Sequence, residues 1–259
     1  MDLKSMLEGR KISSPLVAPI KEGNTQGKAM SEANARKRKA PSATEFTLSP
    51  MIAVTVGKEP NQVTRLVHKE LLTAHSAYFN ACLNRVSSWK EGEENKVLLE
   101  EDDPEAFNVV VSWLYKESTA LAFLDSTDSL TYSMVGPYKL ADKLMIPELK
   151  NALIDRLRQK LKVRDRLMGP DQLKKIRQAD LLHSSLYEFS IRQFAWTYCK
   201  LPKILYQQKE QDDALDADLE LARECLSMTQ KFLVDGWEDP RMEKGCVYHD
   251  HSDGSECPK

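Results

Sequence analysis

The sequence predicts an α+β protein: a small sheet with helical hairpins, followed by an all-α C-terminal extension. Three observations carry that expectation. Ile52, Val54 and Val56 alternate with Ala53 and Thr55, the period-two pattern of a strand with one buried face. Leu149, Leu153, Leu157 and Leu161 recur at the spacing of one helical face. Near the end, Asp213 to Phe232 reads as a long amphipathic helix, with Leu215, Leu219, Ala222, Leu226, Thr229 and Leu233 as its apolar side.

Residues 1–47 hold scattered Gly, Pro, Ser, Asn and Lys. Beyond one turn's worth of apolar residues at Leu3, Met6 and Leu7 they show no periodicity, and they are expected to be a disordered basic tail. The pattern changes at Phe46. The first strand ends in the turn Gly57-Lys58-Glu59-Pro60-Asn61, and Val63, Arg65 and Val67 mark a returning strand. Leu71, Leu72, His75, Tyr78, Phe79, Cys82 and Leu83 then fall at helical spacing, as two short helices broken near Ser76. Lys96-Val97-Leu98-Leu99 is a short strand.

Asp103-Pro104-Glu105 is a helix start, with Asp as N-cap, Pro at the first helical position and Glu where the macrodipole favours it. Phe107, Val110, Val111, Leu114 and Tyr115 are expected on its buried face. Residues 118–129 read as a polar loop, Leu130 to Leu144 as a helix, and Pro147 as the start of another. Gly169-Pro170 marks a boundary, after which Asp171 to Leu182 reads as helical. Residues 186–200 fit either period. The resulting division is 1–47 tail, 48–162 folded domain, 163–240 helical extension and 241–259 polar tail containing Cys and His.

Lys plus Arg number 37 and Asp plus Glu 39, a formal charge of −2 that excludes a chain basic throughout and coating nucleic acid by charge alone. The balance is uneven: residues 1–47 carry nine basic and five acidic groups, so the remainder is mildly acidic. Five cysteines, an odd number at wide spacing, argue against a disulfide scaffold and for a reducing compartment. No apolar run suits a signal peptide or a membrane span, so the expectation is a soluble chain of the nucleus, the cytoplasm or both.

Three ordered blocks carry a family resemblance. They are Val67-His68-Lys69-Glu70-Leu71-Leu72 with His75-Ser76-Ala77-Tyr78-Phe79; Asp103-Pro104-Glu105-Ala106-Phe107 with Trp113-Leu114-Tyr115; and Tyr138-Lys139-Leu140-Ala141-Asp142-Lys143-Leu144 with Pro147-Glu148-Leu149-Lys150-Asn151. Together they resemble the BTB/POZ domain, in the form common in fungal proteins, over about Leu48 to Leu161. Many relatives carry an Asp-Val pair at the first strand where this chain has Met51-Ile52-Ala53-Val54. The resemblance implies a non-enzymatic interaction module, an adaptor or scaffold, able in some relatives to form homodimers. In relatives that serve cullin-type ubiquitin ligases, a hydrophobic–x–Glu segment contacts the cullin, and Trp89-Lys90-Glu91 stands at the corresponding point. An exposed aromatic anchors in a partner's pocket while a nearby carboxylate sets orientation. The plainer reading folds Trp89 back on its own domain and leaves Glu91 solvated.

No nucleophile elbow, zinc-protease helix, phosphate-binding Gly-rich loop or kinase motif occurs, and no catalytic residue is assigned. His68 and His75 read as packing residues. Arg36-Lys37-Arg38-Lys39 is a nuclear-import candidate, suited to an acidic receptor groove, and makes a nuclear, transcription-associated regulator the alternative function. Direct nucleic-acid or membrane binding is not expected. Cys246, His249, His251 and Cys257 offer four donors of the kind zinc takes. Their C-x2-H-x-H-x5-C spacing is tighter than familiar finger patterns, and the preferred expectation is a terminus without a cofactor. A metal-dependent activity there is the third reading, disfavoured because no general base or substrate pocket accompanies the cluster.

Overall fold

The computed structural model describes residues 49–84, 95–126, 130–164, 166–200, 208–236 and 238–252, together with Gly254. Strand β1 (Met51–Val56) pairs antiparallel with β2 (Val63–His68), from Met51 opposite His68 to Val56 opposite Val63. Strand β3 (Lys96–Leu99) lies parallel on the other side of β1, giving the order β2-β1-β3. The period-two pattern is realised directly, with Ile52, Val54, Val56, Val67, Val97 and Leu99 buried on one face. Gly57 makes the sharp exit from β1 at φ +84°, where a Cβ would stand 3.0 Å from the Pro104 ring, so glycine alone fits without strain or displacement.

Helices α1 (Lys69–His75) and α2 (Ala77–Asn84) form the expected pair broken at Ser76. The buried Ser76 hydroxyl makes the break: it accepts from the Phe79 amide at 3.1 Å as an N-cap and donates to the Leu144 carbonyl at 2.5 Å. Helix α3 (Pro104–Lys116) begins as expected, with the Asp103 carboxylate accepting from the Glu105 amide at 3.0 Å. Its buried face includes Trp113, whereas Tyr115, expected inside, is exposed. The Tyr115 hydroxyl lies 2.6 Å from His68 Nδ1 and accepts from the His68 amide, so the phenol is drawn to the sheet edge.

The stretch read as a loop is also ordered. A 3-10 turn (Glu117–Ala122) and one helical turn (Phe123–Ser126) bury Leu121 and Leu124 in the core. Helices α4 (Leu130–Lys143) and α5 (Pro147–Val163) follow, and α5 buries the predicted row Leu149, Leu153, Leu157 and Leu161.

The extension is built of helices joined by short turns among its described residues. Helix α6 (Pro170–Gln178) stops four residues short of the expected end. Asp180 follows it at positive φ (62°) and turns the chain. The ambiguous segment is α7 (Ser185–Lys200), a helix buried on most sides; burial all round is why no single period stood out. The expected helix 213–232 is two helices, α8 (Gln208–Ala217) and α9 (Leu219–Asp235), divided at Asp218, whose carboxylate caps the Leu221 amide at 3.0 Å. The buried face of α9 is also not the predicted one. Leu221, Cys225 and Phe232 are inside, while Leu219, Leu226 and Leu233 face solvent at 64%, 59% and 71% exposure. In that phase Arg177 of α6 engages Glu224 at 2.9 Å and Asp218 at 3.3 Å. Among the described residues, no helix is long and apolar enough to cross a membrane.

Candidate functional site

The segment after α9, expected as a polar tail, is seated on the protein. Tyr248 is fully buried: its ring meets Phe189 of α7 edge to face at 5.2 Å and lies beneath the guanidiniums of Arg158 (5.2 Å) and Arg192 (5.7 Å). Burial, then the hydrogen bond to the Glu243 carboxylate, pushes its phenol well above the usual tyrosine range. Glu243 also pairs with Arg192, and its carbonyl accepts from Arg158. Arg158 belongs to α5 of the sheet-containing domain and Arg192 to α7 of the extension, so this one short segment bridges both.

Two residues later the same segment is fastened to α5 again. Asn151 brackets Asp250, accepting from its amide at 2.7 Å and donating to its carbonyl at 3.0 Å. The buried Lys150 ammonium stands 2.7 Å from the Asp250 carboxylate and 2.5 Å from Asp142 of α4. His249 Nε2 lies 2.9 Å from the Asp155 carboxylate, also on α5. Sequence reasoning missed this clasp. Its signals are a lone aromatic, Tyr248, in a polar run and two amphipathic residues, Lys150 and Asn151, on a helix; neither specifies a partner about a hundred residues away.

The structure brings together three of the four donors noted in the tail. One ligand atom each from Cys246, His249 and His251 lies within 4.8 Å of the others. Cys257 lies outside the described residues, as do Trp89, Glu91 and the basic run Arg36, Lys37, Arg38 and Lys39. The histidines read as packing residues behave so: His75 meets Trp113 edge to face at 5.4 Å and His68 meets Tyr115 at 5.7 Å. The acidic pair Asp102-Asp103 is structural, Asp102 holding Lys143 at 2.5 Å while Asp103 caps α3.

The described residues form a three-stranded sheet backed by helical hairpins and followed by a helical extension. Residues 52–161 match the BTB/POZ domain, which places that domain from β1 to near the end of α5 and leaves α6 to α9 as an extension beyond it. BTB/POZ domains are protein–protein interaction modules, and they mediate dimerisation as well as binding of other proteins. Comparison with the curated proteins finds no match to this chain.

Proposed function

We propose that the protein is a non-enzymatic adaptor whose BTB/POZ domain engages one partner while the helical extension, held rigidly to it, presents or receives another. The match over residues 52–161 carries this reading. The clasp supports it: Tyr248, Asp250 and Asn151 fasten the C-terminal segment to both α5 and α7, contacts that suit an adaptor positioning one protein against another. Its sharpest form is a substrate adaptor of a cullin-type ubiquitin ligase, with Trp89 as the anchoring aromatic and Glu91 as the orienting carboxylate. The test is purification of the tagged full chain from native extract with mass spectrometry. A cullin co-purifies with the wild type, and Trp89→Ala with Glu91→Ala releases it; recovery of other partners without a cullin counts against the ligase form.

The basic run Arg36–Lys39 favours a second reading, a nuclear regulator that assembles with transcription factors through the same domain. In this reading, neutralising the four residues shifts a tagged protein from nucleus to cytoplasm. An unchanged distribution removes its support.

A further inference from the structure

The Cys/His cluster at the C-terminal segment brings three metal-ligand atoms within 4.8 Å of one another. A tight turn, closed by the His249 amide donating to the Cys246 carbonyl at 3.1 Å, sets Cys246 and His249 at its two ends. Gly245 enters that turn at φ +82°, a conformation glycine adopts without strain. Burial of Tyr248 and the bracketing of Asp250 by Asn151 then fix the backbone on both sides of His249. The two imidazoles are left with centroids 6.0 Å apart and the thiol beside them. The His249–Asp155 contact fixes one imidazole of the three converging donors.

We propose that Cys246, His249 and His251 bind a zinc ion, with Asp155 as the outer carboxylate that orients His249. Donation from Nε2–H to Asp155 fixes the tautomer that leaves the Nδ1 lone pair for metal, the carboxylate–histidine–metal arrangement common at zinc sites. One thiolate and two imidazoles suit zinc and not calcium or magnesium, which take oxygen donors. Tetrahedral zinc draws N and S donors to roughly 3.5 Å from one another, so the present separations close by about one ångström of side-chain movement. Three protein ligands leave one position for a further donor. Bound there, the ion joins the turn at 246–249 to the strand of chain at 251 and, through Asp155, to α5. Its role is to tighten the clasp between the BTB/POZ domain and its extension.

Metal analysis of the full chain, stripped with chelator and reloaded with zinc, tests this. One zinc per chain is expected, and cobalt substitution should give a near-ultraviolet thiolate-to-cobalt band with visible bands of four-coordinate intensity. Cys246→Ser, at an exposed position, should abolish the thiolate band while the metal-free variant unfolds in urea like the metal-free wild type. His251→Ala should weaken zinc binding at least tenfold. Asp155→Asn should weaken it by roughly 10- to 100-fold while keeping the band. Only background, adventitious metal on the wild type, or a thiolate band that survives Cys246→Ser, overturns the proposal.

Discussion

Lys150 on α5 and Asp250, a hundred residues further along the chain, meet at 2.7 Å, and Asp142 holds the same ammonium from α4 at 2.5 Å. A buried lysine is costly unless it is paired and hydrogen-bonded, and here two carboxylates supply that need. Burial opposes the charge on Lys150, yet the bonds to Asp142 and Asp250 outweigh it and raise its pKa. The C-terminal segment thereby completes the BTB/POZ domain's own electrostatics.

The pair makes stability depend on acid. Burial works against the Asp250 carboxylate, but hydrogen bonds from Lys150 and Ser252 overcome it and hold its pKa down to about 2. A carboxylate held below its unfolded value stabilises the fold above pH ~4, and the contribution disappears as pH falls from about 4 through about 2. Asp250 is partly exposed, so solvent screening limits the effect to about 1 kcal/mol. Urea unfolding at neutral pH should show that loss in Asp250→Asn, and the difference from wild type should vanish at the acid end of the range.

Tyr248 should separate packing from hydrogen bonding. Tyr248→Ala empties a fully buried aromatic site and is expected to cost about 3 kcal/mol or more, whereas Tyr248→Phe keeps the ring and loses only the bond to Glu243, about 1 kcal/mol. Limited proteolysis should cut near residue 245 readily in the alanine variant and slowly in the phenylalanine one.

On α9 the two leucine stripes should respond oppositely. Leu221→Ala removes buried apolar volume and is expected to cost about 2–4 kcal/mol, while Leu226→Lys at an exposed position should stay within about 0.5 kcal/mol of wild type. Thermal unfolding of the two variants checks the phase of the helix.

Cysteine reactivity should divide by burial. Desolvation pushes the Cys225 thiol up to about 11, and Cys82 is also buried, so both should resist alkylation in the native protein. Among the described cysteines, Cys199 and Cys246 are exposed and should label before the buried pair. Zinc should then protect Cys246 but not Cys199, as read by mass spectrometry of the alkylated peptides.

Elements defined by short-range chemistry were legible in the residues. The alternation of Ile52, Val54 and Val56, the Asp103-Pro104 helix start, the break at Ser76 and the leucine row of α5 are each specified within a few positions, and the structure realises them. The phase of α9 was not, because that helix carries apolar residues on two adjacent stripes. Packing of Leu221, Cys225 and Phe232 into the core, with Arg177 of α6 paired to Glu224 and Asp218 alongside, selects between them. Residues 186–200 were equally opaque, since a helix buried on most sides has no polar face to give a period.

For the site, the sequence supplied the residue types and the tertiary structure supplied their meeting. Cys246, His249 and His251 were identifiable as donors from composition and spacing alone. That they converge depends on Tyr248 entering a hollow between α5 and α7 and on Asn151 bracketing Asp250, contacts between positions about sixty and a hundred residues apart. Much of the BTB/POZ domain is determined by local periodicity, as in β1 and the leucine row of α5, whereas the turns burying Leu121 and Leu124 and the outward Tyr115 are not. The clasp that joins the extension to it was decided only in three dimensions, because a buried lysine or tyrosine carries no mark in the sequence of the distant carboxylate or arginine that makes its burial affordable.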